Sequence, residues 1–146
     1  MKRTFNILLA EDDADDRLLA KEALEESRIS GSLHCVEDGE ELLDYLRCRG
    51  RYSARARAPR PDIILLDLNM PRKDGREALR EIKADPELRR IPVIALTTSK
   101  EKEDVRKTYD LGASSYIKKP SSFDGLVDVM RTLGKYWSEM VELPAE

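Results

Sequence analysis

The segment DIILLDLNMP, residues 62–71, decides the fold. Its strand candidate is DIILLD, 62–67, in which four apolar residues, Ile63 to Leu66, stand between Asp62 and Asp67. A strand with one face in water alternates apolar and polar residues. This run does not alternate. An unbroken apolar run of strand length is the pattern of a parallel strand covered by helices on both faces.

The same reading extends outward along the chain. FNILLA (5–10) and IPVIAL (91–96) are further apolar strands, and SLHCV (32–36) and SSYIK (114–118) are weaker ones. Between them lie segments with apolar residues near helical spacing. Ala14–Ser27 carries Leu18, Leu19, Ala23 and Leu24; Gly39–Arg47 carries Leu42, Leu43 and Leu46. Gly75–Ala84 carries Ala78, Leu79 and Ile82, and Glu101–Leu111 carries Val105, Tyr109 and Leu111. A last helix begins near Ser122, with Ser121 or Ser122 as its cap and Leu126, Met130, Leu133 and Trp137 on its apolar face. Five strands and five helices alternate strictly. That order predicts an α/β fold, a doubly wound parallel sheet with right-handed crossovers. The one long irregular connection is the Arg-rich stretch 48–61.

The bulk numbers fit one domain of 146 residues. With 26 basic and 29 acidic residues the formal net charge is −3, which points to neither nucleic acid nor an acidic substrate. Apolar runs fall well short of the roughly 18 residues a membrane span needs. The N-terminal MKRTFNILLAEDD ends its apolar run in acids and lacks a cleavage pattern, so it reads as a strand and not as a signal peptide. Cys35 and Cys48 lack CxxC spacing and read as reduced thiols of a cytoplasmic protein.

In an open parallel sheet, ligands bind beyond the carboxyl ends of the strands. Glu11 and Asp12 follow the first strand, Asp67 ends the third, Thr97 follows the fourth, and Lys119 follows the fifth. Three carboxylates brought to one edge repel one another unless a cation joins them. Mg²⁺ prefers such oxygen ligands, and Lys119 counters the charge from the other side. A carboxylate beside a metal and an ammonium suits phosphoryl transfer, with Asp67 as nucleophile and the Thr97 hydroxyl binding a phosphoryl oxygen.

These residues carry a resemblance. Glu11-Asp12, LLDLNMP with Asp67, Thr97, Tyr116 and Lys119-Pro120 are similar to the motifs of response-regulator receiver domains of two-component signalling, over residues 5–138. The resemblance implies a flavodoxin-like (βα)5 sheet of strand order 2-1-3-4-5. It implies Asp67 as phosphoacceptor, Mg²⁺ held by Glu11, Asp12, Asp67 and the carbonyl of Asn69, and Thr97 and Lys119 on the phosphoryl group. Thr97 and Tyr116 form its switch, and the Lys119–Pro120 peptide is expected to be cis. Glu11 stands where Asp is more usual, and Thr98 where many members have Ala. The segment DPELRRIPVIALTTSKEKEDVRKTYDLGASSYIKKP, with GKYWSEMVELP, further resembles single-domain regulators paired with phytochrome histidine kinases. That subgroup implies a receiver over 1–138, a C-terminal extension over 139–146 with no output domain, and a bacteriophytochrome-type kinase as partner. It also implies a homodimer through Tyr136 and Trp137, and Met140, Val141 and Leu143 continue an apolar stripe that fits it. Such a chain is no enzyme beyond its own phosphorylation and dephosphorylation.

Other features have plainer readings. Asp13, Asp15 and Asp16 suit a helix start. His34, the one histidine, cannot make a zinc site alone. Asp74-Gly75 lacks the remaining ligands of a calcium loop. Arg47, Arg49, Arg51, Arg55, Arg57 and Arg60 read first as a solvated loop and second as a contact for an acidic kinase surface. Two rival functions remain: an Mg²⁺-dependent phosphatase with an aspartyl nucleophile, and a phosphorylation-independent docking module. The phosphatase wants a second Asp two residues after Asp67 as general acid, and Asn69 stands there.

Overall fold

The computed structural model describes residues 5–54, 58–99 and 101–144. Five strands, β1 (Phe5–Ala10), β2 (Gly31–Val36), β3 (Ile63–Leu66), β4 (Val93–Thr97) and β5 (Ser115–Lys118), alternate with five helices. These are α1 (Ala14–Ser27), α2 (Gly39–Leu46), α3 (Gly75–Ala84), α4 (Lys102–Asp110) and α5 (Phe123–Lys135). All four strand pairings are parallel, in the order β2-β1-β3-β4-β5. The doubly wound α/β expectation and its strand order both hold.

The sheet separates two cores, and the strands feed both. Leu8, Ala10, Ile64, Leu66, Val93 and Ala95 point toward the side of α2 and α3. Ile7, Leu9, Ile63, Leu65, Ile94 and Leu96 point toward α1 and α5. β3 is fully buried because both its faces are covered, which is why its sequence shows no alternation. β2 and β5 are edge strands with partly exposed residues, and their weaker apolar signal follows from that. The apolar run before β4 contributes Ile91 to the core but not to the ladder. The strand begins after Pro92, whose carbonyl accepts from Ile64 at 3.0 Å.

Three features depart from the sequence expectation. The long connection after α2 contains a short 3-10 turn, Gly50–Tyr52. There Tyr52 packs at 5.0 Å from the Tyr45 ring, donates to Glu41 at 2.6 Å and accepts from Arg51 at 2.8 Å. Burial, followed by the bond to Glu41, pushes the Tyr52 hydroxyl up to about 12. Arg47 pairs with Asp85 at 3.5 Å, Arg49 with Asp44 at 3.2 Å and Arg51 with Glu41 at 2.6 Å. These arginines are therefore tied to acids of this same domain; Arg55 and Arg57 lie outside the described residues. The second departure is at Pro120: among the described residues every peptide bond is trans, that before Pro120 included. A trans X–Pro bond is the lower-energy isomer. The third is a π-helical turn, Tyr136–Met140, that continues α5. Trp137 and Leu143 pack against the core under α1 and α5, whereas Tyr136 and Met140 are exposed. Residues 145 and 146 of the extension lie outside the described residues.

Candidate functional site

The carboxyl ends of β1, β3, β4 and β5 bring the expected residues together. Glu11, Asp12 and Asp67 each offer an oxygen, and the three oxygens lie within 4.8 Å of one another. The Thr97 hydroxyl donates to Asp67 Oδ1 at 3.2 Å. Lys119 Nζ lies 3.8 Å from Asp67 Oδ2, 2.9 Å from Asp16 Oδ2, and in direct contact with Glu11. The Asn69 backbone N–H donates to Asp67 Oδ1 at 3.2 Å. The Tyr116 hydroxyl donates to the Ser99 carbonyl at 2.7 Å, two residues beyond Thr97.

The local backbone explains this placement. The Asp67 N–H donates to the Ala10 carbonyl at 3.0 Å, so the β1–β3 ladder sets Asp67 beside Glu11. Lys119 is set in the same way, by its N–H on the Thr97 carbonyl at 2.8 Å. Asp13 caps α1 by accepting the Asp16 N–H at 3.0 Å, and the Asp13 N–H donates to Glu11 Oε2 at 3.1 Å. α3 starts hard against the site. A Cβ at Gly75 would lie 2.5 Å from the Asp67 carbonyl oxygen and 2.7 Å from Leu68 Cα.

Glu11 is only 2% exposed. Burial is the largest influence on it and raises its carboxyl to about 7, against the opposing bonds from Lys119 and the Asp13 N–H. A cleft of about 190 Å³ between α1 and α5, walled by Leu19, Leu96 and Phe123, borders Glu11 and Lys119. Burial also works on Lys119, to lower its affinity for a proton. Its bonds to Glu11 and Asp16, with the charges of Glu11 and Asp67, outweigh that and hold it above its ordinary value. A protonated Glu11 would still accept a hydrogen bond from the ammonium, but it would lose the charge that helps to hold Lys119 up. The geometry favours a shared, charge-neutralised arrangement that a second cation would complete.

Three carboxylates with two of them buried are an oxygen-only donor set, suited to a hard divalent cation and not to a soft one. Glu11, Asp12 and Asp67 are the residues that would hold it. Two neighbours escaped the sequence reading. Asp16 belongs with Lys119 as well as with the helix start. Arg17 donates to the Glu11 carbonyl at 2.9 Å and to Glu37 at 3.0 Å. Their role comes from helix phase and from a partner 103 residues away, which no local pattern carries.

The response regulator receiver domain model matches residues 7–131. The chain belongs to that family. This receiver is 42% identical over 139 residues to the response regulator Rcp1 of a Synechocystis strain, covering 95% of this chain and 92% of Rcp1. It superposes on the phosphorylated cyanobacterial phytochrome response regulator RcpA with a TM-score of 0.88 at 43% identity, covering 98% of this chain and all of RcpA. The response regulator RPA3017 in red light signalling of R. palustris gives a TM-score of 0.92 at 39% identity, covering 97% and 99%. A Mn(2+)-bound form of Rcp1 gives a TM-score of 0.85 at 42% identity, covering 97% and 99%. This receiver is thus similar to phytochrome response regulators over nearly their whole lengths, and it is a phosphoacceptor signalling protein and not a classical enzyme. Among its described residues no helix is long and apolar enough to cross a membrane.

Proposed function

We propose that this receiver accepts a phosphoryl group on Asp67 from a phytochrome-type histidine kinase, of the bacteriophytochrome class, and signals by protein–protein contact in the cytoplasm. One observation carries the reading: Asp67 is buried at a strand end with Thr97, Lys119 and two further carboxylates around it. The Asp67 carboxylate attacks the phosphorus of a phosphohistidine. The P–N bond breaks, its electron pair goes to the imidazole, and the new O–P bond makes an acyl phosphate. Glu11, Asp12, Asp67 and the Asn69 carbonyl would hold Mg²⁺, which would neutralise the phosphoryl charge when bound. The Thr97 hydroxyl and the Lys119 ammonium each bind a phosphoryl oxygen. Attack of water on the phosphorus breaks that O–P bond, returns the electron pair to Asp67 and releases inorganic phosphate.

Readout runs through β4 and β5. Phosphorylation strengthens the pull on Thr97, and Tyr116, whose hydroxyl reaches the Ser99 carbonyl, follows the β4–α4 loop. Exposed Tyr136 and Met140, beside Trp137 at the end of α5, form the homodimer surface. The phosphatase reading is disfavoured because Asn69 cannot donate the proton that its general acid must supply. The docking-module reading leaves buried Glu11 and Asp67, gathered with Asp12 beside Lys119, without a use.

The test is incubation with acetyl phosphate, with and without Mg²⁺, read by intact mass and size-exclusion chromatography, with Asp67→Asn alongside. Gain of one phosphoryl that needs the metal and is lost in the variant is expected. No gain, with Mg²⁺ still bound, overturns the reading in favour of the docking module.

A further inference from the structure

Ser99 is held at both ends. Its carbonyl accepts the Tyr116 hydroxyl at 2.7 Å, and its own hydroxyl donates to Asp104 Oδ2 at 2.6 Å. Asp104 lies in the first turn of α4, and its other oxygen pairs with the Arg76 guanidinium at 3.2 Å. Arg76 lies in the first turn of α3. Its backbone N–H donates to Asp74 Oδ1 at 2.7 Å, and its guanidinium lies 3.3 Å from both Asp74 oxygens. The Ser99 hydroxyl first, and then Arg76, hold the Asp104 carboxyl below its ordinary value. A continuous set of polar contacts thus joins the loop that leaves Asp67 to the loop that leaves Thr97. It bypasses the reacting atoms altogether.

We propose that Asp104 and Arg76 are positioning residues for phosphoryl transfer, fixing Ser99 and through it the Thr97 hydroxyl at Asp67 before the phosphoryl group arrives. The inference rests on Asp67 being the phosphoacceptor. Its physical basis is preorganisation. A hydroxyl already aimed at the place where charge develops costs no reordering during the reaction. Thr97 is fully buried, but Thr98 after it is exposed, so the loop needs an anchor further on, and Ser99 is where both anchors attach. The Arg76–Asp104 pair is about a quarter exposed on each side chain. A pair of that kind adds little to global stability. Its effect therefore belongs on the rate and not on the melting temperature.

The experiment compares wild type, Asp104→Asn, Arg76→Gln, the double variant and Ser99→Ala. Three quantities are measured: the rate of phosphoryl gain from acetyl phosphate with saturating Mg²⁺, the Mg²⁺ dissociation constant, and the thermal midpoint. Each single variant is expected to slow phosphoryl gain by about threefold to tenfold, with Mg²⁺ affinity and midpoint close to wild type. Arg76→Gln and Asp104→Asn should be non-additive, because residues acting as one unit do not sum. Wild-type rates in the variants would overturn the inference while leaving Asp67 as the phosphoacceptor. So would a rate loss matched by parallel losses of metal affinity and midpoint, which is general destabilisation. If wild type gains no phosphoryl at all, the phosphoacceptor reading fails and this inference fails with it, a result distinct from the other two.

Discussion

Gly75 and Asp67 meet backbone to backbone: a Cβ at Gly75 would lie 2.5 Å from the Asp67 carbonyl oxygen. The Gly75 N–H donates to the Leu68 carbonyl at 3.0 Å, so the first turn of α3 is locked onto the end of β3. Gly75→Ala therefore has to push the helix or the Asp67 end of β3 aside. Overpacking of this kind costs about 1–3 kcal/mol. Urea denaturation should show a lowered midpoint with an unchanged slope, and phosphoryl gain should slow as Asp67 shifts.

Glu11 sets a pH dependence. Its carboxyl is raised to about 7, chiefly by burial, from an ordinary value of 4.5. The folded state then holds this proton more tightly than the unfolded one. For the metal-free protein this group adds stability as pH falls from about 7 toward 4.5, and that contribution is lost as pH rises through 7. Metal binding has the opposite sense, because the cation needs Glu11 ionised. Calorimetry in matched buffers should show Mg²⁺ binding weaker at pH 6 than at pH 8, with protons released at pH 6. Equal affinities would mean that Glu11 is ionised throughout.

Lys119 stands where it would compete with a bound cation for the same carboxylates. Lys119→Met removes a cation that touches Glu11 and stands 3.8 Å from Asp67. Mg²⁺ affinity is expected to rise by about threefold or more as that competing charge is lost. Phosphoryl gain should fall, since the phosphoryl oxygens lose a partner. A calcium-free Mg²⁺ titration and the acetyl phosphate assay separate the two effects.

The anchor of the Arg-rich connection is testable by removing one hydroxyl. Tyr52→Phe deletes the bridge between Glu41 and Arg51 and keeps the ring on Tyr45. The expected loss is about 0.5–1.5 kcal/mol of stability. Phosphoryl gain should stay at the wild-type rate, since the Tyr52 contacts run to α2 and to the Tyr45 ring.

The proposed homodimer gives Trp137 and Tyr136 different roles, one in folding and one in association. Trp137 packs on its own core, and Tyr136, 5.2 Å away ring to ring, is half exposed. Trp137→Ala should lower the thermal midpoint at every protein concentration. Tyr136→Ala should leave the midpoint of dilute protein in place and shift the sedimentation profile toward monomer. A dimer untouched by Tyr136→Ala would remove this surface from the interface.

The alternation of strands and helices was legible in the residues alone, because burial on both faces writes unbroken apolar runs such as IILL at 63–66. The residues that follow or end those strands, Glu11, Asp12, Asp67, Thr97 and Lys119, were legible as well. Their meeting at one site rests on the order β2-β1-β3-β4-β5, which the family resemblance implied and chain order alone does not. Edge strands β2 and β5 were fainter, because most of their residues are only partly buried. The pairings made across elements became visible only in the folded chain. Asp16 reaches Lys119, Asp104 joins Arg76 to Ser99, and Tyr52 ties the Arg-rich connection to Glu41. A charged side chain on a helix has many partners permitted by sequence, and which one it meets depends on helix phase, packing distance and the line of the backbone. Those are set by the two cores and not by any local pattern of residues.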